Sequence, residues 1–254
     1  LLGRDLFLIS KTGNLQRISF ERGEYERFES VHSPVCSGAV YLRDMIVTGH
    51  EDGTVGVWDF SKKRLRIYPG HKEPVLSVAG DHYGTIYSLG KDGRLSRQHP
   101  DKPERQTMSL GKNHSFRLQM IPWDRLLVYS TDSRRPALLN IMDFPQNVEK
   151  QIILKENRPV CRTSVDQQAR IITALGYTPG ETSGTLAVID PEKEQPHCHI
   201  LSGHSRETLD CMVMGPRILS CGRDDGHRYS LRVWGTPFFV QREHAKLSLT
   251  KQSS

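Results

Sequence analysis

A chain of 254 residues with 36% hydrophobic and 25% charged side chains has enough apolar mass for a buried core, which excludes global disorder. That length suits one large all-β domain or two ordinary ones. Lysine and arginine number 35 against 29 acidic residues, a formal charge of +6 spread without any run of five or six like charges, which favours acidic partners in general and does not identify nucleic acid.

In chain order, Asp5–Ser10, Asn14–Phe20 and Tyr25–Glu29 read as three short strands with no strand before them. Residues 31–70 form the best-defined unit. His32 precedes the alternating run Val35–Leu42, then come Met45–Gly49, the turn Glu51-Asp52-Gly53, the run Thr54–Asp59, and a fourth run Arg64–Tyr68 closed by Pro69-Gly70. Four period-two segments divided by Gly, Asp and Pro turns predict a four-stranded antiparallel meander. The pattern then recurs. His71, Ser88 and Asp92 repeat the spacing of His32, Thr48 and Asp52, with Gln98 where Trp58 stands in the first unit. A weaker unit carries His114, Asp132 and Ile141-Met142-Asp143, and another carries Thr173, a long turn Tyr177–Gly184 and Ile189-Asp190. His204, Ser220, Asp224 and Trp234 restore the full set, with extra residues Asp225–Tyr229 in the turn. Positions 58, 98, 141, 189 and 234 are separated by steps of 40, 43, 48 and 45. Near the end, His244 is followed by the alternating run Ala245–Lys251 and stands three residues before Leu247, as His32 stands three before Val35.

The stretch Thr48-Gly-His-Glu-Asp52-Gly-Thr-Val-Gly-Val-Trp58-Asp59, at a step of about 40–45 residues, resembles the WD repeat. The resemblance implies an all-β propeller of four-stranded antiparallel blades. Each blade would carry a hydrogen-bonded set of histidine, serine or threonine, aspartate and tryptophan. His32, Thr48, Asp52 and Trp58 occupy those places in one blade, His71, Ser88 and Asp92 in the next, and His204, Ser220, Asp224 and Trp234 in the last. Such a set has a physical purpose: it satisfies the polar groups of a half-buried turn, which makes the histidines structural. Six blades are expected, at 1–29 with 244–251, 30–70, 71–112, 113–156, 157–203 and 204–243, although seven is the commoner number in the family. On this reading the C-terminal strand completes the N-terminal blade and closes the ring in a single domain over 1–254.

No constellation of residues points to catalysis, a metal or a cofactor. His197-Cys198-His199 lies on a strand, where consecutive side chains point to opposite faces and only two of the three could share a metal. Cys36, Cys161, Cys198, Cys211 and Cys221 sit singly, which predicts free thiols in a reducing compartment, the cytoplasm or nucleus. Cys211 and Cys221 fall on adjacent strands, the one place where a regulatory disulfide is conceivable. The sequon Asn113-His114-Ser115 is read as chance. No apolar stretch approaches the roughly 20 residues that span a bilayer, so no membrane role is expected. The chain starts at Leu1 without methionine, and its N-terminus is expected to lie upstream.

Function is then expected on the rims. The resemblance implies that peptides are gripped on the face carrying the turns between second and third strands. Lys91, Arg134, Arg158 and Arg223 reach that face from four consecutive repeats, a basic arc suited to an acidic or phosphorylated segment. The leading expectation is a non-catalytic interaction scaffold or adaptor within a multiprotein complex. In this family such a scaffold includes the substrate-recruiting subunit of a ubiquitin ligase. The alternative is an RNA- or DNA-associated subunit, against which stands an aromatic content of 7% that does not interleave with basic residues.

Overall fold

A computed structural model of the chain describes residues 5–19, 23–28, 32–42, 45–102, 104–111, 116–122, 125–131, 138–143, 147–153, 159–166, 170–176, 184–192, 197–214, 217–225, 228–235 and 247–248. The described fold is all-β, in six antiparallel sheets. The first sheet joins β1 (Asp5–Ile9), β2 (Leu15–Ser19) and β3 (Glu24–Phe28). The second joins β4 (Val35–Val40), β5 (Met45–His50), β6 (Val55–Asp59) and β7 (Arg64–Tyr68), and the third β8 (Val75–Gly80), β9 (Ile86–Gly90), β10 (Arg94–Gln98) and β11 (Arg105–Ser109). In the fourth are β12 (Phe116–Ile121), β13 (Arg125–Ser130), β14 (Leu138–Asp143) and β15 (Asn147–Ile153). The fifth holds β16 (Val160–Val165), β17 (Ile171–Leu175), β18 (Gly184–Asp190) and β19 (His197–His204). Last come β20 (Glu207–Met214), β21 (Arg217–Asp224), β22 (Arg228–Gly235) and β23 (Leu247–Ser248). Every sheet is a meander in sequence order, the pairing that short connections make cheapest. Two compact units divide the chain, one of Leu1–Met120, Asp124–Val128 and Met142–Asn147, the other of Ile121–Trp123, Tyr129–Ile141 and Val148–Ser254.

In the first unit the sheets pack face to face. Phe7, Ile9, Leu15 and Phe28 meet Ile46, Trp58 and Phe60 of the second sheet, whose opposite face brings Val47, Val55 and Val57 against Val75, Val78 and Ile86. In the second unit Ile172, Ala174, Leu186 and Val188 pack on Cys211, Ile218 and Trp234. Sheets covered on both faces are buried almost throughout, as β6, β9 and β17 are, whereas β21 alternates buried and part-exposed residues.

The repeat lies in backbone detail as much as in sequence. First and second strands slip register at one bulged residue, between Val35 and Ser37, Val75 and Ser77, Val160 and Arg162, and Thr208 and Asp210. A proline carbonyl just before the first strand accepts a turn N–H three times: Glu51 to Pro34 at 2.9 Å, Lys91 to Pro74 at 2.8 Å and Gly176 to Pro159 at 2.8 Å. Hydroxyls stitch neighbouring first strands together, Ser37 Oγ donating to Val75 O at 3.1 Å and Leu118 N to Ser77 Oγ at 3.0 Å.

The C-terminal strand corrects the sequence reading. Leu247 and Ser248 pair with Val233 and Arg232, so they join the last sheet and not the first, which has three strands among the described residues. Only 11 residues separate β22 from β23, and pairing strands close in sequence costs less entropy than a distant pairing. Among the described residues no sheet closes on itself.

Gly53 shows how tightly the turns are seated. Its φ is +85°, and an added Cβ would lie 2.1 Å from His71 O. Gly23, at φ +63°, has open space around it. Gly53→Ala is expected to lose clearly more than the ~1–2 kcal/mol of a left-handed alanine, and Gly23→Ala only that amount. Denaturant unfolding of the two variants checks the difference.

Candidate functional site

Below the turns between second and third strands lie the polar side chains that the repeat predicts. The register there is shared by four sheets: Ile46 faces Trp58, Ile86 faces Gln98, Ile171 faces Ile189 and Ile218 faces Trp234. Two residues beyond each isoleucine stands a buried hydroxyl, Thr48, Ser88, Thr173 or Ser220.

The third sheet shows the simplest arrangement. His71 Nδ1 lies 3.2 Å from Asp92 Oδ1, and His71 Nε2 lies 2.9 Å from Ser88 Oγ. Asp92 also accepts the backbone N–H of Arg94 at 3.1 Å and of Lys72 at 3.3 Å, tying the turn to the preceding loop. Gln98, in the tryptophan place, is buried, and its Nε2 has no partner among the described residues. Arg105 braces the set from β11, donating to buried Ser96 Oγ at 2.9 and 2.6 Å.

In the last sheet Trp234 Nε1 donates to Ser220 Oγ at 2.8 Å, and His204 Nε2 lies 2.9 Å from that hydroxyl. Between histidine and aspartate an unpredicted serine intervenes. His204 Nδ1 lies 3.0 Å from Ser230 Oγ, which donates in turn to Asp224 Oδ2. Asp224 then accepts Ser205 N–H at 2.7 Å and has the Arg232 guanidinium 3.6 Å away.

The second sheet departs from the expected set. Thr48 Oγ1 is met at 3.0 Å by His50, not by His32, and His50 Nδ1 lies 2.9 Å from Ser33 O. His32 sits farther out, 3.0 Å from both Asp52 Oδ2 and Thr54 Oγ1. The cause is steric. In the other two sets the residue two beyond the hydroxyl is glycine, and a Cβ on Gly90 or Gly222 would come within 2.5 Å of the His71 or His204 ring. His50 fills that place and takes over the hydroxyl, leaving His32 to the turn. The signal was legible as Thr48-Gly-His50 beside Ser88-Leu-Gly90 and Ser220-Cys-Gly222. In the fifth sheet Thr173 Oγ1 has no partner among the described residues, and Ile189 stands in the aromatic place. His114 and Asp132 lie outside the described residues.

Burial holds His50, His71 and His204 below the ordinary histidine value, with the nearby Asp92 and Asp224 only partly opposing it for the last two. These rings are neutral in the folded protein at pH 7, one nitrogen donating and the other accepting. Burial alone would raise the Asp224 carboxyl, but the bonds from Ser230 and Ser205 outweigh it and hold the group below the usual aspartate range.

The four basic residues fare unequally. Lys91 is exposed at a turn tip of the first unit. Arg223, in the second unit, has NH1 3.7 Å from Glu207 Oε1, so its charge is already engaged. Arg134 and Arg158 lie outside the described residues, as does the long turn 177–183. Cys211 pairs across the strands with Ser220 and Cys221 with Asp210, so the two thiols point to opposite faces and cannot form the disulfide considered from the sequence. Burial pushes the Cys161 thiol up to about 11 and the Cys211 thiol to about 12. Among the described residues no three metal-ligating side chains come together. The side chains of His197, Cys198 and His199 lie outside the description. In comparisons with known proteins, the chain matches no protein family and no curated sequence.

Two predictions follow from these sets. Because the three histidines sit below their ordinary value of 6.5, the unfolded chain binds more protons than the folded one once the pH drops. Stability is then complete above about pH 6.5 and declines as pH falls through that value, so Tm drops between about pH 8 and about pH 5.5 and does so less steeply in His71→Asn. Trp234→Phe removes one buried hydrogen bond from Ser220 and is expected to cost about 1 kcal/mol in denaturant unfolding.

Proposed function

We propose that the six sheets are blades of a WD-repeat β-propeller and that the protein is a non-catalytic scaffold. Partner proteins are held on the end that carries the turns between second and third strands. The observation that supports this reading is the set of hydrogen bonds that ties the described turns to the loops before them. The histidine, hydroxyl and aspartate networks, together with the proline-carbonyl clamps, tie the described turns of the second, third and last sheets to their preceding loops, with Lys91 exposed at one tip. A surface ordered before binding loses little entropy on binding, which is the condition for a specific grip. His50, His71 and His204 have both ring nitrogens engaged in structural bonds, which supports a structural and not a catalytic role for them.

Within this reading Lys91, Arg134, Arg158 and Arg223 are the contacts for an acidic or phosphorylated segment. Lys91 contributes more than Arg223, whose guanidinium must first leave Glu207. The test is affinity capture from cell extract with quantitative mass spectrometry. Lys91→Ala with Arg223→Ala is expected to lose the captured proteins, while Arg64→Ala with Arg66→Ala on the outer strand β7 retains them. Unchanged capture by the folded Lys91/Arg223 variant would refute the basic grip.

A further inference from the structure

The turn between β9 and β10 gathers positive charge around one carboxylate. Lys72 N–H and Arg94 N–H both donate to Asp92, at 3.3 and 3.1 Å, and Lys91 N–H donates to Pro74 O at 2.8 Å. Those bonds set three cationic residues about a single turn, and all three are exposed. Asp92 is committed to His71 and to the two N–H groups, and its side chain is only 11% exposed. Half-buried Arg105 adds a fourth positive charge, close enough to Asp92 and Arg94 to feel both. The last sheet treats the same place differently. Arg223 follows Gly222, which pairs with Thr208, as Lys91 follows Gly90, which pairs with Val75. Glu207 lies 3.7 Å from Arg223 and Asp225 lies 3.4 Å from Arg206, so the charges there pair off. Across from Lys91 stands Pro74, which bears no charge. In the second sheet the equivalent residue is exposed Glu51, its N–H on Pro34 O. That acidic turn abuts the loop before β8, His71 N–H donating to Gly53 O at 2.6 Å.

We propose, resting on the reading of these turns as the grip, that Lys72, Lys91 and Arg94 form a subsite for a phosphoryl group on a serine or threonine of the partner protein, and that Glu51 takes a basic residue beside it. A phosphoryl group carries about two negative charges at pH 7 on three acceptor oxygens, which suits three cationic donors gathered at one turn better than a carboxylate does. A continuous acidic run fits poorly, because Glu51 and Glu73 are exposed on the same rim and repel it. Those carboxylates favour a cation instead. Face-to-face sheets pack about 10 Å apart and an extended segment advances about 3.3 Å per residue, so the ligand's two charges stand about three residues apart. The subsite lies on the second and third sheets, which pack on one another, and it makes no use of Arg134, Arg158 or Arg223.

The experiment is fluorescence anisotropy on the full chain with labelled alanine–glycine peptides. The probe carries one phosphothreonine and an arginine three residues from it. One control has glutamate in place of the phosphothreonine, and the other keeps the phosphothreonine but has glutamate in place of the arginine. The probe is expected to bind about tenfold or more tightly than either control, and added salt weakens it. Lys72→Ala/Arg94→Ala, which keeps both backbone bonds to Asp92, is expected to lose that preference for phosphate, and Glu51→Gln the preference for arginine. Lys102→Ala, beyond the opposite end of β10, leaves both unchanged. Equal binding of the phosphothreonine probe and its glutamate counterpart, or undiminished preference in Lys72→Ala/Arg94→Ala, would overturn the proposal. Lys91 and Arg223 are intact in that variant. Undiminished binding there, together with loss of captured proteins in Lys91→Ala/Arg223→Ala, would therefore sink the subsite and leave the wider grip standing.

Discussion

A polar turn that is half-buried must find its hydrogen-bond partners inside the protein, and much of the surrounding structure answers that requirement. In the third and last sheets the turn between second and third strands packs under the loop that opens the same sheet, leaving the Asp92 and Asp224 side chains only 11% and 21% exposed. A neutral imidazole solves this economically, because one ring joins a donor to an acceptor across the loop. His71 does so between Ser88 and Asp92, and the carboxylate passes the constraint to two backbone N–H groups.

The three complete sets solve the same problem by different routes. In the last sheet Ser230 relays the histidine to Asp224, and Trp234 anchors the hydroxyl from the other side. Gly203 leaves room for that ring, since a Cβ there would lie 2.2 Å from the indole. In the third sheet no tryptophan is present, and Arg105 reaches in from the fourth strand to brace Ser96 instead. The second sheet divides the work between two histidines, the inner one serving Thr48 and the outer one serving the turn. What these three sets share is a histidine on the buried hydroxyl of Thr48, Ser88 or Ser220, whichever histidine provides it.

Packing between sheets imposes the second constraint. A sheet covered on both faces needs nearly continuous apolar strands, as in Ile171–Leu175, whereas a sheet covered on one face keeps an alternating pattern. The bulge near the start of the first strands tightens the local twist at the same point in four of the sheets. The serine that follows it in β4 and β8 sits where its hydroxyl reaches the next first strand.

The sequence by itself determined the strands, their meander order and the repeat, because period-two burial and turn glycines are local properties written residue by residue. It also determined which side chains would cluster beneath the turns, since the spacing of hydroxyl and aromatic places survives in the register of four sheets. Only the tertiary structure decided which histidine meets Thr48, because that depends on the space a neighbouring strand leaves, open at Gly90 and Gly222 and filled at His50. It likewise decided that the last strand pairs with β22 and that Cys211 and Cys221 face apart, since edge choice and register are settled by competing long-range pairings that no local pattern encodes.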